Sequence, residues 1–393
     1  MTQRRLGWLD ALRGYAALVV VCFHLGPSVL GPARHMAIYR HIDLGKYGVL
    51  LFFLVSGYVI PLSLERHGCL RRFWIGRLFR VYPAYLATIA AAALLGIWHG
   101  GFPAHASMLL DPLGQRGAVR VFWTLSYEMI FYLVVAGLFA WRLHRHSGWW
   151  AAGLALAAVV LGPVLPDGLL GSGRSVAWGL LALMAVSIGG HLAGRHRLAG
   201  VAGVLFLLLP ALNGHPTDRS TVTGSRQALL LLAVLFAGTV VYRAQHGGLG
   251  RRPAAAALAV VAAALVLGQP APARWALTVV AVAATFAVAF AARHRPMPRL
   301  LRFLGTISYS LYLTHVLVLL VVGRMLPGLA DRPAPVRLAA GVAVLALALA
   351  VVWTGYRTIE RPTQRWGRRI ATERATARTG WARTSGRASR LDA

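Results

Sequence analysis

The sequence predicts an all-α, polytopic bundle of about 10–12 membrane-spanning helices, and three features carry that expectation. The first is composition. Of 393 residues, 58% are hydrophobic and only 13% charged, with a mean hydropathy of +0.62, whereas soluble chains are about half apolar and a quarter charged. The second is the apolar runs, long enough to cross a bilayer, at 11–30, 45–64, 81–98, 121–141, 149–165, 175–193, 198–213, 227–242, 254–268, 275–292, 303–323 and 337–356. The third is that charge gathers at the ends of these runs. The formal net charge of +30 is spread as short arginine clusters, not as a basic stripe interleaved with aromatics, so no nucleic-acid partner is expected.

The first run opens as RRLGWLDALRGYAALVVVCFH. Asp10 and Arg13 interrupt what otherwise imitates a signal peptide, so an uncleaved first helix is expected. The loop after the second run carries Arg66, Arg71, Arg72, Arg77 and Arg80. With the N-terminus in the cytoplasm, the inner loops hold sixteen Lys/Arg against twelve in the outer loops, which favours that orientation and places both termini inside. One lysine, Lys46, against forty arginines is the bias of a GC-rich bacterial genome, hence a bacterial cytoplasmic membrane. Cys22 and Cys69 suggest neither a disulfide framework nor a paired-cysteine metal site. Residues 1–358 are expected to form the membrane domain. The basic stretch 359–393, without apolar periodicity, is expected to be a disordered cytoplasmic tail or to lie on anionic membrane lipid. No fused soluble catalytic domain and no inverted repeat are expected.

Ionisable side chains are costly inside a bilayer, so their placement carries the chemistry. Arg13 and His24, eleven residues apart, return to one helix face, with Asp10 close enough to pair with Arg13 at its mouth. His24 then stands about 16 Å along the axis from Arg13, near mid-membrane. In FWTLSYEMIFY, Thr124, Glu128 and Tyr132 form one stripe; in ISYSLYLTH, Ser308, Tyr312 and His315 form another. A buried structural hydrogen-bond network explains the same stripes. The arginine pairs at 71/72 and 77/80 offer guanidinium forks for phosphate, although positive-inside charge alone also produces such a cluster.

Taken together, LDALRGYAALVVVCFH, FFLVSGY, RLFRVYPAY, WTLSYEMIFY, ISYSLYLTH and IERP resemble, in this order, the acyltransferase 3 family of integral membrane acyltransferases. The resemblance implies transfer of acetyl or other short acyl groups from cytoplasmic acyl-CoA to hydroxyl or amino groups of sugars, polysaccharides, lipids or antibiotics. Arg13 and His24 match the family's N-terminal Arg and essential His, Arg77 and Arg80 its arginine pair near the CoA phosphates, and Glu128 its acidic residue. The WTLSYEM form resembles the exopolysaccharide- and antibiotic-modifying branches.

Acyl transfer from a thioester needs a base for the hydroxyl proton and donors for the developing oxyanion. The expected roles are therefore His24 as base, Glu128 as its partner, and Arg13 for charge stabilisation. Arg72, Arg77 and Arg80 are expected to hold acyl-CoA, taken as a co-substrate with no tightly bound cofactor. Ser308, Tyr312 and His315 are expected to hold the carbohydrate or secondary-metabolite acceptor. Two rivals remain: a proton- or ion-coupled transporter using midplane His and Glu, and a metal site from His24, Glu128 and His315, which lacks diagnostic ligand spacing.

Overall fold

The computed structural model describes residues 6–372 apart from 98, 215–221 and 223. Every apolar run becomes helix, in the order α1 Gly7–Leu30, α2 Pro32–His41, α3 Leu44–His67, α4 Leu70–Leu94, α5 Phe102–Ser107, α6 Trp123–Ala140, α7 Ser147–Val160, α8 Arg174–Leu192, α9 His196–Leu205, α10 Leu208–Leu212, α11 Ser225–Gln245, α12 Arg251–Leu267, α13 Pro272–Ala291, α14 Arg299–Met325 and α15 Ala334–Gly355. Among the described residues there is no strand, only an isolated bridge between Asp167 and Gly214. Eight helices are long and apolar enough to cross a membrane; α4 has the length, but its first turns carry arginines. This is a multi-pass membrane protein.

α6 and α11 are buried over most of their length, whereas α8, α13 and α15 bury only a minor part. Outward-facing Leu94, Trp149 and Val164 are exposed, as lipid-facing positions must be. Association of helices in lipid depends on close backbone approach, which small residues permit. Gly14 of α1 lies against α14, where an added Cβ would stand 2.6 Å from the backbone N of Gly305. Gly57 of α3 and Gly238 of α11 make the equivalent crossing, a Cβ on Gly238 standing 2.9 Å from the Gly57 Cα. At one end of that second crossing Glu65 pairs with Arg243, accepts from the Tyr242 hydroxyl at 3.0 Å and faces His144 Nε2 at 3.5 Å.

The boundary expected at residue 358 is corrected. The chain passes from α15 through one π-helical turn, Tyr356–Glu360, and continues as α-helix to residue 372. The face that docks is Glu360, Gln364 and Gly367, not an apolar stripe, which is why apolar periodicity missed it. Buried Glu360 accepts from Ser310 Oγ at 2.5 Å and from Gln364 Nε2 at 2.8 Å. Gly367 lies against Phe79, and the Trp366 and Phe79 rings meet edge to face at 5.6 Å. Residues 373–393, the rest of the expected tail, lie outside the described residues.

Candidate active site

Because α1 and α14 touch at Gly14 and Gly305, about three helical turns further along their faces still meet, and the meeting residues are imidazoles. His315 Nε2 stands 3.2 Å from His24 Nδ1, with ring centroids 5.0 Å apart. Each Nδ1 also faces the carbonyl one turn back on its own helix: His24 to Val20 O at 2.9 Å, His315 to Leu311 O at 3.0 Å. A carbonyl only accepts, so neutral rings in these positions carry their proton on Nδ1. The one His24 Nδ1–H is then shared between Val20 O and His315 Nε2 in a three-centre bond, and His24 Nε2 is left as an open lone pair on a half-buried ring.

Glu128 does not join this pair. Its carboxylate accepts from Ser56 Oγ at 3.1 Å and from the Tyr132 hydroxyl. Glu128, expected as the functional partner of His24 or of the acceptor, thus lies apart from it, and the ring that meets His24 is His315, because helix packing turns α14, not α6, toward the His24 face. The three residues also do not assemble as a metal triad; among the described residues no group of three or more His, Cys, Asp or Glu is placed to hold a metal.

Arg13, Glu128, Ser308 and Tyr312 instead line one narrow cavity of about 40 Å³, with Ser56, Thr124 and Phe52. Thr124 Oγ1 donates to the Tyr312 hydroxyl at 3.0 Å, and Ser308 Oγ to Gly305 O at 2.9 Å. Arg13 makes no salt bridge to Asp10, against expectation. It faces the cavity that Glu128 lines, and its Nε is buried without a hydrogen-bond partner. A buried guanidinium with unused donors beside hydroxyls suits a developing negative charge.

A larger cavity of about 470 Å³ opens at the end of the bundle nearer Arg13. It is lined by Arg66, Arg72, Arg77, Arg80, Arg368 and Arg369 with no acidic residue. Arg77 is buried, its guanidinium 5.4 Å from the Phe73 ring and 5.2 Å from the Tyr132 ring. Tyr132 thus joins the arginine cavity to the Glu128 cavity. Toward the other end, beyond His315, Val316, Leu317, Arg120, Trp123, Asp111 and Gln115 line a third cavity of about 390 Å³. Lys46 sits over the Trp123 ring at 4.3 Å.

A bundle carrying an imidazole pair between an arginine cavity and a second polar cavity fits group transfer, and the comparison with known families agrees. The sequence pattern described as Acyltransferase domain, acyltransferase 3, matches residues 6–356. The chain belongs to that family. It resembles the Acyltransferase MdmB of Streptomyces mycarofaciens, 29% identical over 180 residues, covering 40% of this chain and 46% of that protein. It also resembles the Exopolysaccharide production protein ExoZ of Rhizobium meliloti (strain 1021), 32% identical over 229 residues, covering 50% of this chain and 68% of that protein. The chain thus spans about half the length of the first relative. No solved structure matches it.

Within this acyltransferase, sequence reasoning missed Arg66, Arg368, Arg369 and Arg120. Arg66 had been read only as a topology charge, and Arg368 and Arg369 as tail. The signal that was present is the helical spacing of Glu360, Gln364, Gly367 and Arg368.

Proposed function

We propose that the protein is an O-acyltransferase moving an acetyl or other short acyl group from acyl-CoA to a hydroxyl of a sugar, exopolysaccharide or secondary metabolite. The observation that carries this reading is the alignment of three features on α1, α4, α6 and α14: a cavity lined by six arginines, then the Arg13–Tyr312 cavity, then the imidazole pair. The arginines suit the phosphates of CoA. From Arg13 to His24 the rise is about 16 Å, a length for an extended arm to bring its thioester toward His24. The arginine end then faces the cytoplasm of a bacterial inner membrane, where acyl-CoA is found, with both chain ends on that side. The acceptor approaches through the opposite cavity, and the name of ExoZ as an exopolysaccharide production protein supports a glycan.

In the reaction the acceptor hydroxyl gives its proton to His24 Nε2 as its oxygen bonds the thioester carbonyl carbon. The carbonyl electrons move to oxygen, and the Tyr312 hydroxyl, itself accepting from Thr124, stabilises that oxyanion, while Arg13, about 16 Å back along α1, stabilises negative charge on the donor. When the carbonyl re-forms, the C–S bond breaks and the sulfur takes the proton from the His24 imidazolium, leaving neutral CoA thiol and the acyl ester. His315 is a positioning residue: its Nε2 accepts from His24 Nδ1–H and stabilises the imidazolium. Glu128, held by Ser56 and Tyr132, balances the charge of Arg13.

The test is purified protein with radiolabelled acetyl-CoA and a membrane fraction carrying acceptors. Label should pass into ester-linked product with wild type and not with His24→Ala, while both bind the donor. A folded wild-type protein that neither binds nor consumes acetyl-CoA overturns the reading.

A further inference from the structure

The segment 360–372 lies beyond the residues that match the family, yet it closes one wall of the arginine cavity with Gln364, Gly367, Arg368, Arg369 and Thr372. We infer that this C-terminal helix is part of the donor site, with Arg368 and Arg369 binding phosphate groups of the donor opposite Arg72, Arg77 and Arg80. The inference rests on the acyl-CoA reading above and adds residues to it that belong to no family motif.

Two observations separate this from ordinary positive charge at a membrane surface. First, the helix is fixed in place and not lying loose on the bundle. Glu360, 2% exposed, is held by Ser310 of α14 at 2.5 Å, and glycine at 367 is needed where the helix meets Phe79 of α4, since a Cβ there would stand 2.7 Å from Cγ of that ring. α4 carries Arg72, Arg77 and Arg80, so the docking brings both arginine groups to the lining of one cavity. Second, charge is unbalanced in a confined space. Six guanidinium groups line about 470 Å³ and none of the lining residues is acidic. Like charges repel at such distances, and a polyanion entering the cavity relieves that repulsion while accepting from several forks. On the same helix Arg361 and Arg365, exposed like Arg368 and Arg369, do not line the cavity, which supplies an internal control for charge alone.

The experiment compares acetyl-CoA binding by full-length wild type, Arg368→Gln/Arg369→Gln, and Arg361→Gln/Arg365→Gln in detergent, with S-acetylpantetheine, which lacks the nucleotide phosphates, as a second donor. Removing the cavity pair should weaken acetyl-CoA binding by about 10- to 100-fold, the loss expected for charge-assisted bonds. The control pair should stay within about twofold, because it lies outside the cavity and only adds charge to the surface. Turnover of S-acetylpantetheine should be the same in all three proteins. Equal binding of acetyl-CoA by the two double variants overturns the inference, as does an equal loss in both, which would mean a general charge effect. If wild type binds acetyl-CoA and Arg77→Lys weakens it while the 368/369 variant does not, the C-terminal site falls and the donor reading stands. If wild type binds none, both fall.

Discussion

Replacing His315 by leucine tests the imidazole pair most directly. His315 is 1% exposed, its Nε2 3.2 Å from His24 Nδ1 and its own Nδ1 tied to Leu311 O. Leucine fills similar space but cannot accept from His24. A hydrogen bond to a charged group contributes about 1.5–3 kcal/mol, and the bond matters most when His24 is an imidazolium in the transition state. At about 1.4 kcal/mol per tenfold in rate, turnover should fall by about 10- to 150-fold. His24→Ala, which removes the base, should fall by about 100- to 10,000-fold. Residues acting as one unit are not additive, so the double variant should be no slower than His24→Ala alone. His315→Gln, whose amide oxygen can accept near the position of Nε2, should keep more activity than leucine. The assay is single-turnover transfer from radiolabelled acetyl-CoA, with folded yield and donor affinity measured alongside. Turnover by folded His315→Leu within about twofold of wild type would refute the positioning role, as would a double variant whose loss is the product of the two single losses.

Other outcomes follow from the same geometry. Arg77→Lys keeps the charge but loses the planar fork between Phe73 and Tyr132; acetyl-CoA affinity should drop by about tenfold with normal membrane insertion, and an unchanged affinity would exclude a phosphate role. Gly305→Val should lower folded yield and abolish transfer together, because its Cβ would meet the backbone of Asp10 and separate α1 from α14; wild-type yield and activity would contradict the close crossing. Cys69 is exposed beside the arginine end of α4. In a Cys22→Ala background, a membrane-impermeant maleimide should label it only after permeabilisation, and labelling of intact cells would reverse the orientation.

Much of this protein is legible in one strand of sequence. Composition and run length determine an all-helical membrane bundle, since both are local properties read against a bilayer of fixed thickness. The 3.6-residue repeat also determines which residues share a face and at what depth, and so selects Arg13 with His24, Thr124 with Glu128, and Ser308 with Tyr312 and His315. Partnership is another matter. Glu128 was expected as the functional partner of His24, and the ring that stands beside His24 is His315; Arg13 was expected to pair with Asp10 and faces the Glu128 cavity. Those outcomes depend on how each helix is rotated against its neighbours, which is decided where Gly14 meets Gly305 and Gly57 meets Gly238. The stretch 360–372 was misread for the same reason. A polar helix is held there by single contacts from Ser310 and Phe79, residues far away in sequence, and such contacts leave no apolar period in the segment they hold.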